Sequence, residues 1–555
     1  MRTVHLKQRL RSPTIAFKQA ALREMFAAKW ALIVKAIHIT LNEYSLTFNR
    51  KPQKMQDTQE RDQAPAAKTM VPVNVLSVLP KHRDLYYAGG WQKPKGGYLE
   101  TMNPGTGEGI GECAEANTED INLAVASASR AFPTWSRTKP AERAAMLRKV
   151  AAILRDNATD LAMIDAINCG NPIAEMTRDV LNAAAQFDFF AGLVTELKGD
   201  TIPMGDGVVN MSVREPFGVV GRVVAYNHPL MFTAAKSAAP LAAGNVVVMK
   251  PPYQAPMSSY RLMELIGHIF PPGVLNIVTG GTECGQALVA HPDVPYVSLI
   301  GSVPTGRAVA KSAAEKLKHV SLELGGKNPC IVYADADIER AVNGAVAGMN
   351  FTWCGQSCGS TSRLFLHESI HDEVVAGILK KIGHYKPGLP TEQETTMGAI
   401  VSRAQQEKIL RYIDIAKAEG AQLVYGGKVP TQPELQGGFY VEPTVFTGVT
   451  QDMRIASEEV FGPVLSVIKW SDEEAMFEQV NRVEYGLTAA IFTRDLAQAH
   501  RAAGRVQSGF IWVNSAGPHF LGTGYGGYKQ SGIGREESIE ELLSFTQSKN
   551  INITL

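Results

Sequence analysis

Apolar residues return at helical spacing from Thr118 to Ala131 and from Ala141 to Asn157, which predicts two amphipathic helices, and similar patterns continue to Lys198. Thr118 and either Thr138 or the Lys139-Pro140 pair are the expected starts. These helices read as scaffold rather than site. A different pattern follows. Val219 to Ala225, Val246 to Met249 and Val297 to Ile300 are short, mostly apolar and β-branched, as strands buried on both faces of a parallel sheet should be. Strands alternating with helices place the chain in the α/β class, with a doubly wound sheet expected. Tyr86 to Trp91 reads as a strand with a tight turn, where the folded part is expected to begin. Asn103 to Gly107 reads as a second turn, and Gly199 to Glu215 as an extended arm.

At 555 residues the chain is too long for one ordinary core, so two or three domains are expected. The first forty residues differ from the rest: Arg2, Lys7, Arg9, Arg11, Lys18, Arg23, Lys29 and Lys35 face a single acid, Glu24. That is the composition of a basic amphipathic helix or a transit peptide, and 51–68 reads as a flexible tether. A true start at Met55 or Met70 explains the same residues. On either reading, deletion up to Val73 is expected to leave activity intact. The apolar run Trp30 to Ile39, broken by Lys35, is too short to span a bilayer, and no membrane partner is expected. A net charge of +1 gives no reason to expect a nucleic-acid partner. Six scattered cysteines suit a reducing compartment, so a cytoplasmic location is expected.

Two short runs carry chemistry. Phe351 to Arg363, Phe-Thr-Trp-Cys-Gly-Gln-Ser-Cys-Gly-Ser-Thr-Ser-Arg, sets the thiol of Cys358 among small and polar residues after an apolar helical segment. A lone cysteine is more often a core thiol. Gly359, Ser360, Thr361 and Ser362 are not core-like neighbours, so a loop that exposes the sulfur is expected. The thiolate is the nucleophile, and forming it takes a base or a positive surrounding. Glu323, heading Glu323-Leu324-Gly325-Gly326-Lys327-Asn328-Pro329, is the candidate base for the thiol or for a water, and the glycine pair predicts a sharp turn. Asn227 follows the first buried strand and Lys250 ends the second, the sheet edge where ligands collect. After the third, Gly301-Ser302-Val303-Pro304-Thr305-Gly306 leads into a helix whose N-terminus favours an anion, although the run is not a Gly-x-Gly-x-x-Gly fingerprint. Cys354 and Cys358 lack companions at metal-ligand spacing, so no metal is expected.

These runs, with Tyr226-Asn227-His228-Pro229, Glu459-Val460-Phe461-Gly462-Pro463, Trp512-Val513-Asn514 and Tyr525-Gly526-Gly527-Tyr528-Lys529-Gln530-Ser531-Gly532, resemble the signature set of the aldehyde dehydrogenase superfamily. The resemblance holds in register from about Tyr86 to the C-terminus. It implies an aldehyde-dehydrogenase-like α/β fold. An N-terminal extension would cover 1–85, a Rossmann-type NAD(P)-binding domain 86–324, a catalytic domain 325–522 and a return segment 523–555. A small β arm at about 199–215 would pair with the last strand, Asn550 to Leu555, as the oligomerisation surface of a homodimer or homotetramer.

The resemblance further implies NAD or NADP held by Tyr226, Lys250, Tyr253, Gly301, Ser302, Gly306, Glu459 and Phe461. Tyr253 stands where NAD-preferring relatives often carry glutamate, so both cofactors stay open. The implied substrate tunnel comprises His228, Phe232, Ala235, Trp353, His519, Phe520 and Tyr525. The small Ala235 and the lack of Arg or Lys there point to a medium to large, or aromatic, aldehyde without strong negative charge. The implied chemistry is attack of the Cys358 thiolate on the aldehyde, with Asn227 and a backbone N–H holding the oxyanion. Hydride then passes to the nicotinamide, and water activated by Glu323 hydrolyses the thioester. A CoA-acylating dehydrogenase is the alternative enzyme, but such relatives commonly lack the base that Glu323 supplies. A non-catalytic binding protein on the same fold is the alternative from another class, and the presence of all three reacting groups weighs against it.

Overall fold

The three apolar runs are neighbours in one sheet. A computed structural model describes residues 75–555, so the expectations for the basic N-terminal segment, the 51–68 tether and the true start lie outside the described residues. In chain order the runs are Val219–Val223 (β1), Val246–Lys250 (β2) and Tyr296–Gly301 (β3), joined by His319–Leu324 (β4). β1 pairs in parallel with both β2 and β3, and β3 pairs in parallel with β4, setting Ile300 opposite Glu323. Leu275–Ile277 extends the parallel set beyond β2. The hairpin of Leu85–Tyr87 and Gly90–Gln92 covers that edge, and Gly532–Ile533 returns to cover the other by pairing antiparallel with β4. Every residue of β2 is buried, which is why its sequence shows no polar alternation.

The helices follow their patterns with small shifts. Thr118–Trp135 is capped one residue earlier than expected, by Asn117, whose side chain accepts the Glu119 and Asp120 N–H groups. Pro140–Asp156 starts at its proline, as the Lys139-Pro140 pair predicts. Three helices bear on the site: Ile173–Gly192 (α1), Pro229–Ala243 (α2) after β1, and Val303–Ala314 (α3) after β3. α1 packs along α2, and almost all of α2 is buried.

Past β4 the chain crosses to a second sheet through Gly325 to Asn328. Its strand order is Gln422–Tyr425, Thr444–Thr447, Val464–Trp470, Arg363–His367, Pro329–Val332, Thr488–Phe492 and Phe510–Val513, all parallel except the first. The extended arm forms Thr201–Pro203 and Val208–Pro216, and the latter pairs along its length with Thr546–Thr554. The last strand therefore begins before Asn550. No helix among the described residues is long and apolar enough to cross a membrane.

Candidate active site

Cys358 is half-buried in the loop between helix Ile338–Gly348 and strand Arg363–His367. Its neighbours correct the sequence expectation, because Gly359, Ser360, Thr361 and Ser362 are all buried. Hydrogen bonds are what admit such residues to the interior. Asn328 Nδ2 donates to the Cys358 carbonyl at 2.7 Å and to the Ser360 carbonyl at 3.0 Å. Its Oδ1 accepts the Thr488 N–H at 3.0 Å, while Thr488 Oγ1 donates to the Gly359 carbonyl at 3.1 Å. Ser360 Oγ donates to the Met349 carbonyl at 3.1 Å. Asn328 thus pins the nucleophile loop to the second sheet, a role that sequence reasoning missed and that only its place after Gly325-Gly326-Lys327 hinted at.

Glu323, one residue before the end of β4, is buried and borders the same cavity as Cys358. Burial pushes its carboxyl up to about 8, against the smaller lowering effect of the thiol hydrogen bond. The thiol is pushed well above its ordinary value, first by burial and then by Glu323, while Tyr525 Oη, 3.9 Å from Sγ, acts in the lowering direction. The arrangement sets a thiol and a carboxyl on one cavity wall, and the carboxyl can accept the thiol proton once it has lost its own. Gly325 and Gly326 do not make the expected turn through left-handed backbone, since neither has a positive φ. A Cβ on Gly325 would overlap the Glu459 carboxylate, and one on Gly326 would come within 2.6 Å of the Cys358 carbonyl oxygen. The site needs missing side chains there, not unusual torsions.

On the cofactor side, Lys250 is buried at the end of β2, and the Pro251 carbonyl at 3.3 Å is the one partner of its Nζ among the described residues. Burial lowers its pKa. A buried ammonium with one carbonyl partner fits a ligand rich in hydroxyl or phosphate oxygens. Ser302 caps α3, its Oγ accepting the Thr305 N–H at 3.4 Å. Gly306 has a different cause from the one expected: a Cβ there would meet Leu324 Cδ1 at 2.5 Å, so this glycine lets α3 lie close on β4. Glu459 Oε1 accepts the Gly326 N–H at 2.9 Å. Phe461 sits in the left-handed region at φ 53°, held by Gln405 Nε2, which donates to the Val460 and Phe461 carbonyls at 3.2 and 2.9 Å. Its ring stands perpendicular to that of Tyr226 at 5.8 Å, and Tyr253 is exposed. This donor set fits a nucleotide cofactor.

A cavity of about 340 Å³ opens beside Cys358 and Glu323, and His228, Phe232, Trp353, His519 and Tyr525 line it. Asn227 lies buried beside His228 without bordering the cavity, and its carbonyl accepts from Asn171 Nδ2 at 2.9 Å. Ala235 and Phe520 do not line it either: the first is wholly buried and the second stands exposed on the surface. The size of Ala235 therefore says nothing about channel width. Lys236 does line the cavity, contrary to the expectation of no cation, but its Nζ pairs with Glu536 Oε2 at 2.9 Å. α1, read as scaffold, supplies Asp179, Asn182 and Gln186 to the wall, and the return segment supplies Glu536 and Glu537. Among the described residues no cluster of three or more His, Cys, Asp or Glu side chains is able to hold a metal ion.

The model of the Aldehyde dehydrogenase family matches residues 91–551. The chain is 51% identical over 489 residues to aldehyde dehydrogenase tropH of Talaromyces stipitatus, spanning 87% of this chain and 95% of that one. It is 42% identical over 461 residues to a betaine aldehyde dehydrogenase of Mesorhizobium japonicum, spanning 83% and 94%. Among solved structures it is similar to the NAD+ complex of aldehyde dehydrogenase from Bacillus cereus, with a TM-score of 0.84 and 36% identity over 88% of this chain and 99% of that one.

Proposed function

The chain belongs to the aldehyde dehydrogenase family and oxidises aldehydes with NAD(P), and on that premise we propose that it forms a carboxylic acid through a thioester on Cys358. The observation that supports this reading is that the Glu323 carboxyl and the Cys358 thiol stand on the wall of one cavity. Glu323, as carboxylate, takes the thiol proton while sulfur attacks the carbonyl carbon. A backbone N–H near Cys358 and the Asn227 amide, which has to turn out from behind His228 to reach the cavity, hold the oxyanion, each donor supplying roughly 3 to 4 kcal/mol. A nicotinamide cofactor held by the residues named below would supply the hydride acceptor. Once Glu323 has given up the thiol proton to solvent, it takes a proton from the water that attacks the thioester carbon; the C–S bond breaks, the acid leaves, and that second proton passes to sulfur to re-form the thiol.

Lys250, Gly301, Ser302 and Glu459 hold the cofactor, with Tyr226 and Phe461 packed beside it. Tyr253 brings no carboxylate to repel a 2′-phosphate, so NAD and NADP are both accommodated. A medium to large or aromatic aldehyde suits the cavity volume and the rings of Phe232, Trp353, Trp512 and Tyr525. The three-stranded sheet exposes Ile202 and Ile553, which suits a homodimer or homotetramer. All six cysteines are free, in keeping with the cytoplasm.

Cys358→Ala tests the reading. It should lower NAD(P)H formation by at least about a thousandfold, and Glu323→Gln should leave an acyl adduct on Cys358, visible in the intact mass. Undiminished turnover in Cys358→Ala would sink the mechanism.

A further inference from the structure

α1 gives the cavity a polar wall that the thioester chemistry leaves unused. Asp179, Asn182 and Gln186 recur at helical spacing on it, and all three border the cavity. Gln186 is only 5% exposed, and its Oε1 is buried without a hydrogen-bond partner among the described residues. A buried carbonyl oxygen without a donor is costly, and a ligand that brings one recovers that cost.

About two turns nearer the start of the helix, Asp179 Oδ2 lies 2.7 Å from His228 Nδ1. A carboxylate only accepts, so it draws the imidazole N–H to Nδ1 and leaves Nε2 as an acceptor. The His228 ring is framed by Phe232, edge-on at 5.2 Å, and Trp353 at 5.6 Å. His519 repeats the construction, with Nδ1 at 3.3 Å from Glu537 Oε2 and its ring at 4.3 Å from Tyr525. The wall therefore offers hydrogen-bond acceptors inside an aromatic frame.

Resting on the reading of Cys358 as the aldehyde-capturing thiol, we propose that this wall selects aromatic aldehydes carrying a ring hydroxyl, which donates its proton to the acceptor nitrogen presented by His228. Asp179, Glu536 and Glu537 disfavour an anionic substrate and help the product carboxylate depart.

The test compares kcat/KM at neutral pH, where a phenol keeps its proton, for 3-hydroxybenzaldehyde, 3-methoxybenzaldehyde, benzaldehyde and trimethylammonioacetaldehyde, with NAD and with NADP. The hydroxyl compound should exceed its methoxy and unsubstituted analogues by about tenfold or more, mainly through KM. H228F should bring that ratio toward one, whatever happens to the absolute rates. Should H228F fail to fold, H228L, which removes the same acceptor with a smaller side chain, carries the test. A wild-type enzyme without the preference, variants that keep it, or a higher kcat/KM for the trimethylammonium aldehyde would overturn the assignment. If benzaldehyde is oxidised without a hydroxyl preference, the α1 assignment alone fails. If no aldehyde in the panel yields reduced cofactor, it fails together with the reading of Cys358.

Discussion

The Glu459 carboxylate fills the space in which a side chain on Gly325 would stand. The N–H of Gly326 holds the same carboxylate at 2.9 Å, so the end of β4 is tied to the loop that carries Phe461. Gly325→Ala must push Glu459 aside. It should cost about 1 to 3 kcal/mol of stability through overpacking and raise the KM for NAD(P) more than it lowers kcat. Cofactor titration with a fixed aldehyde measures both, and an unaltered KM would remove Glu459 from the cofactor site.

The Glu323 carboxyl, raised to about 8 by burial, sets the pH behaviour. As a base it works only when deprotonated, so kcat should climb with pH through about 8, and Glu323→Gln should lose that limb. Stability runs the opposite way. The folded carboxyl holds its proton more tightly than the unfolded one, whose value is 4.5, so the stabilising effect is complete below 4.5 and is lost as pH rises through about 8. Glu323→Gln should therefore unfold at a higher temperature than wild type at about pH 9, and by a smaller margin at about pH 5. Thermal midpoints at the two pH values decide it; equal margins would mean that the carboxyl is not raised.

Legibility in the sequence depended on whether a residue's meaning was local. Val246 to Met249 could only be a strand buried on both faces, and Cys358 and Glu323 each announce chemistry within their own runs. Asp179, Asn182 and Gln186 look like the solvated stripe of an amphipathic helix, because polarity does not say whether a helix face meets water or a cavity. Gly306 and Gly325 read the same whether a glycine serves torsion or close approach. Only Leu324 and Glu459, brought alongside by the fold, decide between the two. Small polar residues after Cys358 suggested exposure because their partner Asn328 lies far back in the chain.

Asn328 is a positioning residue, and its loss should show in rate as well as in stability. Asn328→Ala removes three hydrogen bonds, to the Cys358 and Ser360 carbonyls and from the Thr488 N–H. With these groups left buried, the cost should be about 2 to 4 kcal/mol. Loosening of the nucleophile loop should also lower kcat about a hundredfold. Steady-state kinetics well below the unfolding midpoint separate the two effects. A variant that is less stable but fully active would show that the loop holds its shape without Asn328.

The last prediction concerns a buried ion network that binds the return segment to the first sheet. Arg222 of β1 donates to Glu536 Oε1 at 2.9 Å and to the Lys236 carbonyl at 2.6 Å, and reaches Glu541 Oε1 at 3.4 Å. Lys236 of α2 pairs with Glu536 from the other side at 2.9 Å. Burial alone would lower the Lys236 pKa, yet Glu536 and Glu541 hold it above its ordinary value. Two cations and two carboxylates thus balance in a place where neither sign is tolerated alone. Arg222→Met removes one cation and strands a carboxylate, which should cost about 3 to 5 kcal/mol. Because the group is buried, added salt should screen the loss little. Adding Glu541→Gln to Arg222→Met removes the surplus negative charge and should restore part of the midpoint, a coupling of the kind contacting residues show. If the two substitutions simply add, Arg222 and Glu541 do not share one balanced network.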